Sequence, residues 1–197
     1  MTQPMSLPDL AVLTLRDPQA AARIVLGWKL SREALWTAIL LTGVVVTILF
    51  SLGNLVMPLP APLQALGTSP FIYLVIAVGG FVATVLAVFW TGRMMGGRGD
   101  LYDFMTLLLW LQVLRTAAQA AILAALFLVP VLGGFLSLFV FVATLWIFIN
   151  FISVGLQLDS LWRAVFVLIV GALAFMIGLS FLLSLIGVTA TGVPPNV

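Results

Sequence analysis

Arg115 stands inside a long apolar run, with Gln112 three residues before it and Gln119 four after it. Residues spaced this way share one face of a helix, so the three make a polar stripe. Asn150 sits in a second apolar run and falls at a similar depth, which predicts that Gln112 and Asn150 meet across a helix interface. An ionisable group with amide neighbours in such surroundings is a functional candidate by default. The chemistry open to it is a polar path, or a binding pocket for an ion, a lipid headgroup or a small solute.

A second cluster, Gly96-Gly97-Arg98-Gly99-Asp100, has the look of a phosphate-cradling loop, but no strand precedes it and no Lys-Ser/Thr pair closes it. Asp100 and Asp103 come nearest to a paired carboxylate set; with Arg98 beside them they read as a solvated loop. The chain has no Cys and no His, and the six acids Asp9, Asp17, Glu33, Asp100, Asp103 and Asp159 all lie outside the apolar runs. Disulfides, thiolate sites and His ligands are excluded, and no nucleophile-base pair or metal set can be assembled. No enzymatic activity, no cofactor and no metal is expected.

The elements that must position these groups are membrane spans. The chain is 63% hydrophobic and 7% charged, against roughly 45–50% and 25% in soluble domains, and its mean hydropathy is +1.30. A span needs about 20 mostly apolar residues. Residues 34–55, 70–91, 135–156 and 164–187 meet this free of charge, and 104–129 meets it while carrying Arg115. The expected fold is therefore all-α: a polytopic five-span helical bundle, residues 34–187, with a cytoplasmic amphipathic lead over 1–33 and an outer tail over 188–197. An arginine at mid-span costs on the order of 2.5–3.5 kcal/mol on insertion scales. That cost leaves a second arrangement open, in which 101–116 is an inner-surface helix and Arg115 snorkels to lipid phosphate.

Lys and Arg are retained on the cytoplasmic side. Arg16, Arg23, Lys29 and Arg32 precede the first span, Arg93 and Arg98 follow the second, and Arg163 follows the fourth. The intervening connectors, 57–69 and 129–134, and the tail carry no charge, so the amino terminus is expected inside and the carboxyl terminus outside. Trp28, Trp36, Trp90 and Trp162 fall near the inner ends, where indole rings prefer the headgroup level; Trp110 and Trp146 lie deeper. The first apolar run is of full span length and begins only at Ala34, which reads as a retained span and not a cleaved signal peptide.

Ser6-Leu7-Pro8-Asp9 and Asp17-Pro18 are helix starts. In the second helix Ala21, Ile24, Val25 and Trp28 share a face, with Gln19 and Arg23 away from it. That face either lies on the inner leaflet or covers the inner ends of the bundle. Small residues at four-residue spacing (Gly79, Ala83, Ala87; Ala117, Ala121, Ala125; Ala174, Gly178) form ridges that permit close helix approach, expected inside the bundle more than at an oligomer interface.

The lead with Pro8 and the span start Ser31-Arg32-Glu33-Ala34, the connector running from Gly92-Arg93-Met94-Met95 through Gly96-Gly97-Arg98-Gly99 to Asp100-Leu101-Tyr102-Asp103-Phe104, and the five-span order together resemble the Yip family of membrane proteins, in its short bacterial branch, over residues 7–187. The resemblance implies a non-enzymatic protein of the bacterial cytoplasmic membrane that organises the membrane or binds other membrane proteins. Eukaryotic members bind Rab-type GTPases. The lead here is short for a GTPase-binding arm, and Asp100-Leu101-Tyr102 does not stand where the eukaryotic Asp-Leu-Tyr-Gly-Pro motif does, so the resemblance carries the fold and not that partner. Members often break the third span with a Gly-Tyr and Pro pattern, whereas this chain reads Trp110-Leu111-Gln112-Val113-Leu114-Arg115. The expected partners are membrane lipids, other membrane proteins or further copies of the chain. Nucleic acid is not among them, since the few cations are spread along the chain. The competing function is a small transporter, channel or lipid-moving protein built on Gln112, Arg115, Gln119 and Asn150.

Overall fold

The structure is a computed structural model that describes residues 6–58 and 69–185. The tail 188–197 and most of the connector 57–69 lie outside the described residues. Seven helices follow one another there: α1 (Leu7–Arg16), α2 (Pro18–Leu26), α3 (Arg32–Val56), α4 (Pro70–Met94), α5 (Leu101–Leu128), α6 (Pro130–Gly155) and α7 (Leu161–Leu185). The last five are long and apolar enough to cross a membrane, which makes the molecule the all-α five-span bundle expected from its hydropathy.

Each boundary has a local cause. Ser6 accepts from the Asp9 N–H, Asp17 from Ala20 at 2.9 Å, Ser31 from Ala34 at 3.2 Å, and Asp100 from both Tyr102 and Asp103; every one of these satisfies a first-turn donor that the helix leaves unpaired. Pro18, Pro70 and Pro130 occupy first-turn positions, where a missing N–H costs nothing. Pro130 also moves the start of α6 several residues ahead of the limit expected from hydropathy. Only Val129 then separates α5 from α6, and the connector anticipated over 129–134 shrinks to one residue.

α5 is one uninterrupted helix. The alternative in which 101–116 lies on a surface and a separate stretch crosses is thereby overturned. The physical reason lies in its neighbours: Phe104 to Leu111 are buried at every successive position, which only a helix surrounded on all sides can achieve.

The core is not spread evenly along the bundle. Leu35 and Ile39 of α3, Val85, Val88 and Phe89 of α4, Phe104, Met105 and Leu107 to Leu111 of α5, Ile147, Phe151 and Ile152 of α6 with Leu156 at its end, and Ala164 and Val167 of α7 are the hydrophobic residues of the described bundle helices that are buried. All lie toward one end, the end where Lys29, Arg98, Asp103 and Asp159 also gather. We refer to it as the charged end. Toward the opposite end the helices present outward Leu52, Phe71, Phe135, Phe139 and Phe181, all largely exposed, as residues facing lipid tails would be.

The lead is part of this core. Leu10 and Thr14 of α1 and Ala21, Ala22 and Val25 of α2 are buried, because α2 packs on α5 and α6 while α1 packs on α6 and meets Trp110 of α5 through Thr14. The covering role left open by the sequence is the one realised. Gln19, placed by its spacing away from the packed face, instead turns inward and donates to the Asn150 carbonyl oxygen at 3.0 Å. The small-residue ridges are a second correction. Gly79, Ala83, Ala174 and Gly178 are exposed, and a side-chain carbon built on Gly79 or Gly178 would meet nothing within 4 Å. Close approach is made elsewhere, by Gly92, Gly99 and Gly155 at the charged end.

Lys29 pairs with Asp103 at 2.8 Å and Arg163 with Asp159 at 3.2 Å; the Arg32 guanidinium lies 4.6 Å from the Tyr102 ring centre. Lys29 is 69% exposed, and exposed ion pairs contribute about 0–1 kcal/mol. Lys29→Ala is accordingly expected to leave the melting temperature of the detergent-solubilised protein within about 2 °C of the parent, as read by tryptophan fluorescence on heating.

Candidate functional site

Arg115 lies 14 residues from the first residue of α5 and 13 from its last, so at 1.5 Å per residue it is about 20 Å from either end. Thr116 is tied into its own helix, donating to the Gln112 carbonyl at 2.7 Å. Gln112, Arg115 and Gln119 border a common space, as their spacing predicts.

That space is a cleft between α3, α4, α5 and α6. Its larger lobe, about 280 Å³, is bordered by Val46, Tyr73, Thr84, Gln112, Arg115 and Thr144. A smaller lobe of about 80 Å³ shares Tyr73, Gln112 and Arg115 and adds Phe50 and Gln119. The Tyr73 and Phe50 rings stack with centres 3.7 Å apart and planes 6° from parallel, which holds the tyrosine at the cleft wall. Leu108 and Phe81 also border the cleft, and Val85, Phe89 and Phe104 of the buried core stand further along the same helices toward the charged end.

Among the described residues no hydrogen bond or ion pair reaches the Arg115 guanidinium, and no acid borders the cleft. The cleft therefore holds one full positive charge, amide and hydroxyl groups, and no carboxylate. Sequence spacing finds the three α5 residues. It misses Tyr73, although only two tyrosines exist in the chain and this one falls inside an apolar run, a signal that was there to be read.

Asn150 does not belong to this site. It is 2% exposed, accepts from Gln19 and donates to the Trp146 carbonyl at 2.9 Å. The predicted contact with Gln112 is absent because the lead helix α2 comes between expectation and fold: it brings an amide to Asn150 from outside the bundle, while Gln112 turns into the cleft.

Nor does the glycine-rich connector cradle an anion. Three of its backbone donors are occupied: Gly96 N–H by the Arg93 carbonyl at 3.1 Å, Gly97 by Gly92 at 2.8 Å and Arg98 by Leu156 at 3.0 Å. Asp100 fills the start of α5. Gly96 takes a left-handed φ of +89°, a conformation that glycine adopts without strain, and this turns the chain so that Gly97 and Gly99 lie flat on the end of α6. A side-chain carbon on Gly99 would run into the Gly155 carbonyl oxygen. The connector is a clasp joining α4, α5 and α6, with the Arg98 side chain exposed at the surface.

The family description that matches this chain is the Yip1 domain, over residues 12–182. No curated protein and no solved structure matches it.

Proposed function

The chain belongs to the Yip1 domain family, and on that premise we propose that this integral membrane protein is non-enzymatic, resides in the bacterial cytoplasmic membrane and binds other membrane proteins at its charged end. In this reading the amino terminus is inside and the carboxyl terminus outside, which the distribution of Lys and Arg between connectors supports. The observation that carries the reading is the docked lead. With Leu10, Thr14, Ala21 and Val25 locked against the bundle, α1 and α2 hold a fixed outer surface on which Leu7, Val12 and Leu15 stand exposed beside Arg16 and Arg23. A surface already ordered loses little conformational entropy when a partner binds.

Photo-crosslinking residues placed at Val12 and Arg16 in cells are expected to trap a discrete protein adduct, a neighbour or a second copy. Adducts with lipid alone would overturn the docking role. Orientation is read in the same cells with single cysteines at Met94 and Arg98, expected to react with a membrane-impermeant thiol reagent only after the inner face is opened. Reaction in sealed cells would reverse the topology.

A second reading, a small transporter, channel or lipid-moving protein, draws on the Arg115 cleft. Between the cleft and the charged end stand the buried Val85, Phe89 and Phe104, so passage would require these side chains to part. Solute or fluorescent-lipid flux in proteoliposomes separates the two readings.

A further inference from the structure

The geometry points to the Arg115 cleft as a binding site for a phosphate group, held at the level of the membrane by Arg115 with Gln112, Gln119 and Tyr73 around it. This goes beyond the docking role and does not depend on it. The argument begins with distance. Arg115 stands about 20 Å from either end of α5, and an arginine side chain reaches only about a third of that, so snorkelling along its own helix does not bring it to water. No carboxylate among the described residues approaches it. An anion that comes to the arginine is the remaining way to compensate the charge, and the cleft is shaped to admit one.

The chemistry of the walls selects the anion. A guanidinium presents a planar fork of donors that matches two oxygens of a phosphate or carboxylate at once. Gln112 and Gln119 flank it on the same helix face, each with an amide N–H₂ donor. Tyr73, fixed by its stack on Phe50, adds a hydroxyl. Three neutral donors around one charge suit the several oxygens of a phosphate better than the two of a carboxylate. The larger lobe, about 280 Å³, lies at the lower edge of the roughly 300–1,000 Å³ typical of ligand pockets, which fits a headgroup or a small phosphorylated solute and excludes acyl chains. The phosphate can thus arrive on a lipid or free in water.

The test uses the full-length protein in detergent micelles, with native mass spectrometry to count bound lipid and thermal unfolding to detect soluble ligand. The probes are phosphatidylglycerol, phosphatidylcholine and inorganic phosphate. One phosphatidylglycerol retained by the parent in preference to phosphatidylcholine, with retention weakened at least tenfold in Arg115→Gln and unchanged in Arg98→Gln, supports the site and assigns it to an anionic lipid. Stabilisation by millimolar inorganic phosphate, lost in Arg115→Gln and without preference between the two lipids, supports the site and assigns it to a soluble anion. Equal retention of every probe by parent and Arg115→Gln overturns the proposal. Should Arg115→Gln not fold, Gln119→Leu and Tyr73→Phe keep the charge and remove donors; unchanged retention in both overturns it equally.

Discussion

Replacing Gly99 with valine is expected to lower the melting temperature of the purified protein by more than 5 °C, while Gly79→Ala leaves it unchanged. The first substitution drives a side chain into the carbonyl of Gly155. That obstacle is backbone, at the junction of three helices, and cannot rotate away. Overpacking of a filled site costs about 1–3 kcal/mol even where side chains can yield, and here the connector must lift off α6, breaking the bond from the Arg98 N–H to the Leu156 carbonyl. Gly155 is closed from its other side as well, since a carbon there would stand 2.8 Å from Leu107 and 2.9 Å from Phe104. Gly79 meets nothing. Heating both variants beside the parent and following tryptophan emission checks the pair; equal melting would mean that the clasp contributes nothing to stability.

The second large effect is expected at Trp110. Its indole is 6% exposed, its N–H donates to the Thr14 hydroxyl at 3.0 Å, and the ring of Trp28 meets it edge-on at 5.6 Å. Thr14 passes the hydrogen bond on, donating to the Leu10 carbonyl at 2.7 Å. Trp110→Ala removes the contact through which α5 holds both lead helices, and large-to-small aromatic changes in cores cost about 3–5 kcal/mol. The expected signature is local before it is global. Limited proteolysis should cut the lead near Arg16 and Arg23 at rates at least tenfold above the parent, while the five spans remain protected. Trp110→Phe keeps most of the ring and loses only the hydrogen bond, and a smaller rise is expected. A lead that stays resistant in Trp110→Ala would show that α1 and α2 are held by other contacts.

The spans were legible because lipid imposes a demand that sequence expresses directly: each crossing must satisfy its own backbone and show an apolar surface. The polar stripe was legible for a similar reason, since Gln112, Arg115 and Gln119 belong to one helix and local spacing fixes their common direction. What spacing cannot fix is the identity of the neighbouring element. Gln112 and Asn150 share a depth, and depth alone suggested a contact. The structure gives Asn150 to Gln19, a residue 131 positions away in sequence, because the lead returns to the bundle. Composition likewise identified the small-residue ridges but not their direction: in a bilayer an outward alanine and an inward one look alike, since both sides are apolar. The connector glycines stood out in the sequence, and the phosphate-loop likeness was set aside there for want of a strand and a Lys-Ser/Thr pair. Their pattern signals backbone approach, and it was the carbonyl of α6, not a phosphate, that approached.

A mechanical consequence follows from Val129. A single residue joins α5 to α6 at one end, and at the other the connector glycines and Phe104 bind the start of α5 to the end of α6. The two helices are stapled twice and have no hinge between them. α4 is anchored at the charged end by the same clasp and packs directly on α3, where Gly43 faces Val78 and Leu74. The wall that carries Arg115 is therefore the stationary jaw. Any widening that admits a phosphate must come from Phe50 and Tyr73 swinging outward with the far halves of α3 and α4, and a crosslink between those two helices and α5 would shut the cleft without touching the arginine.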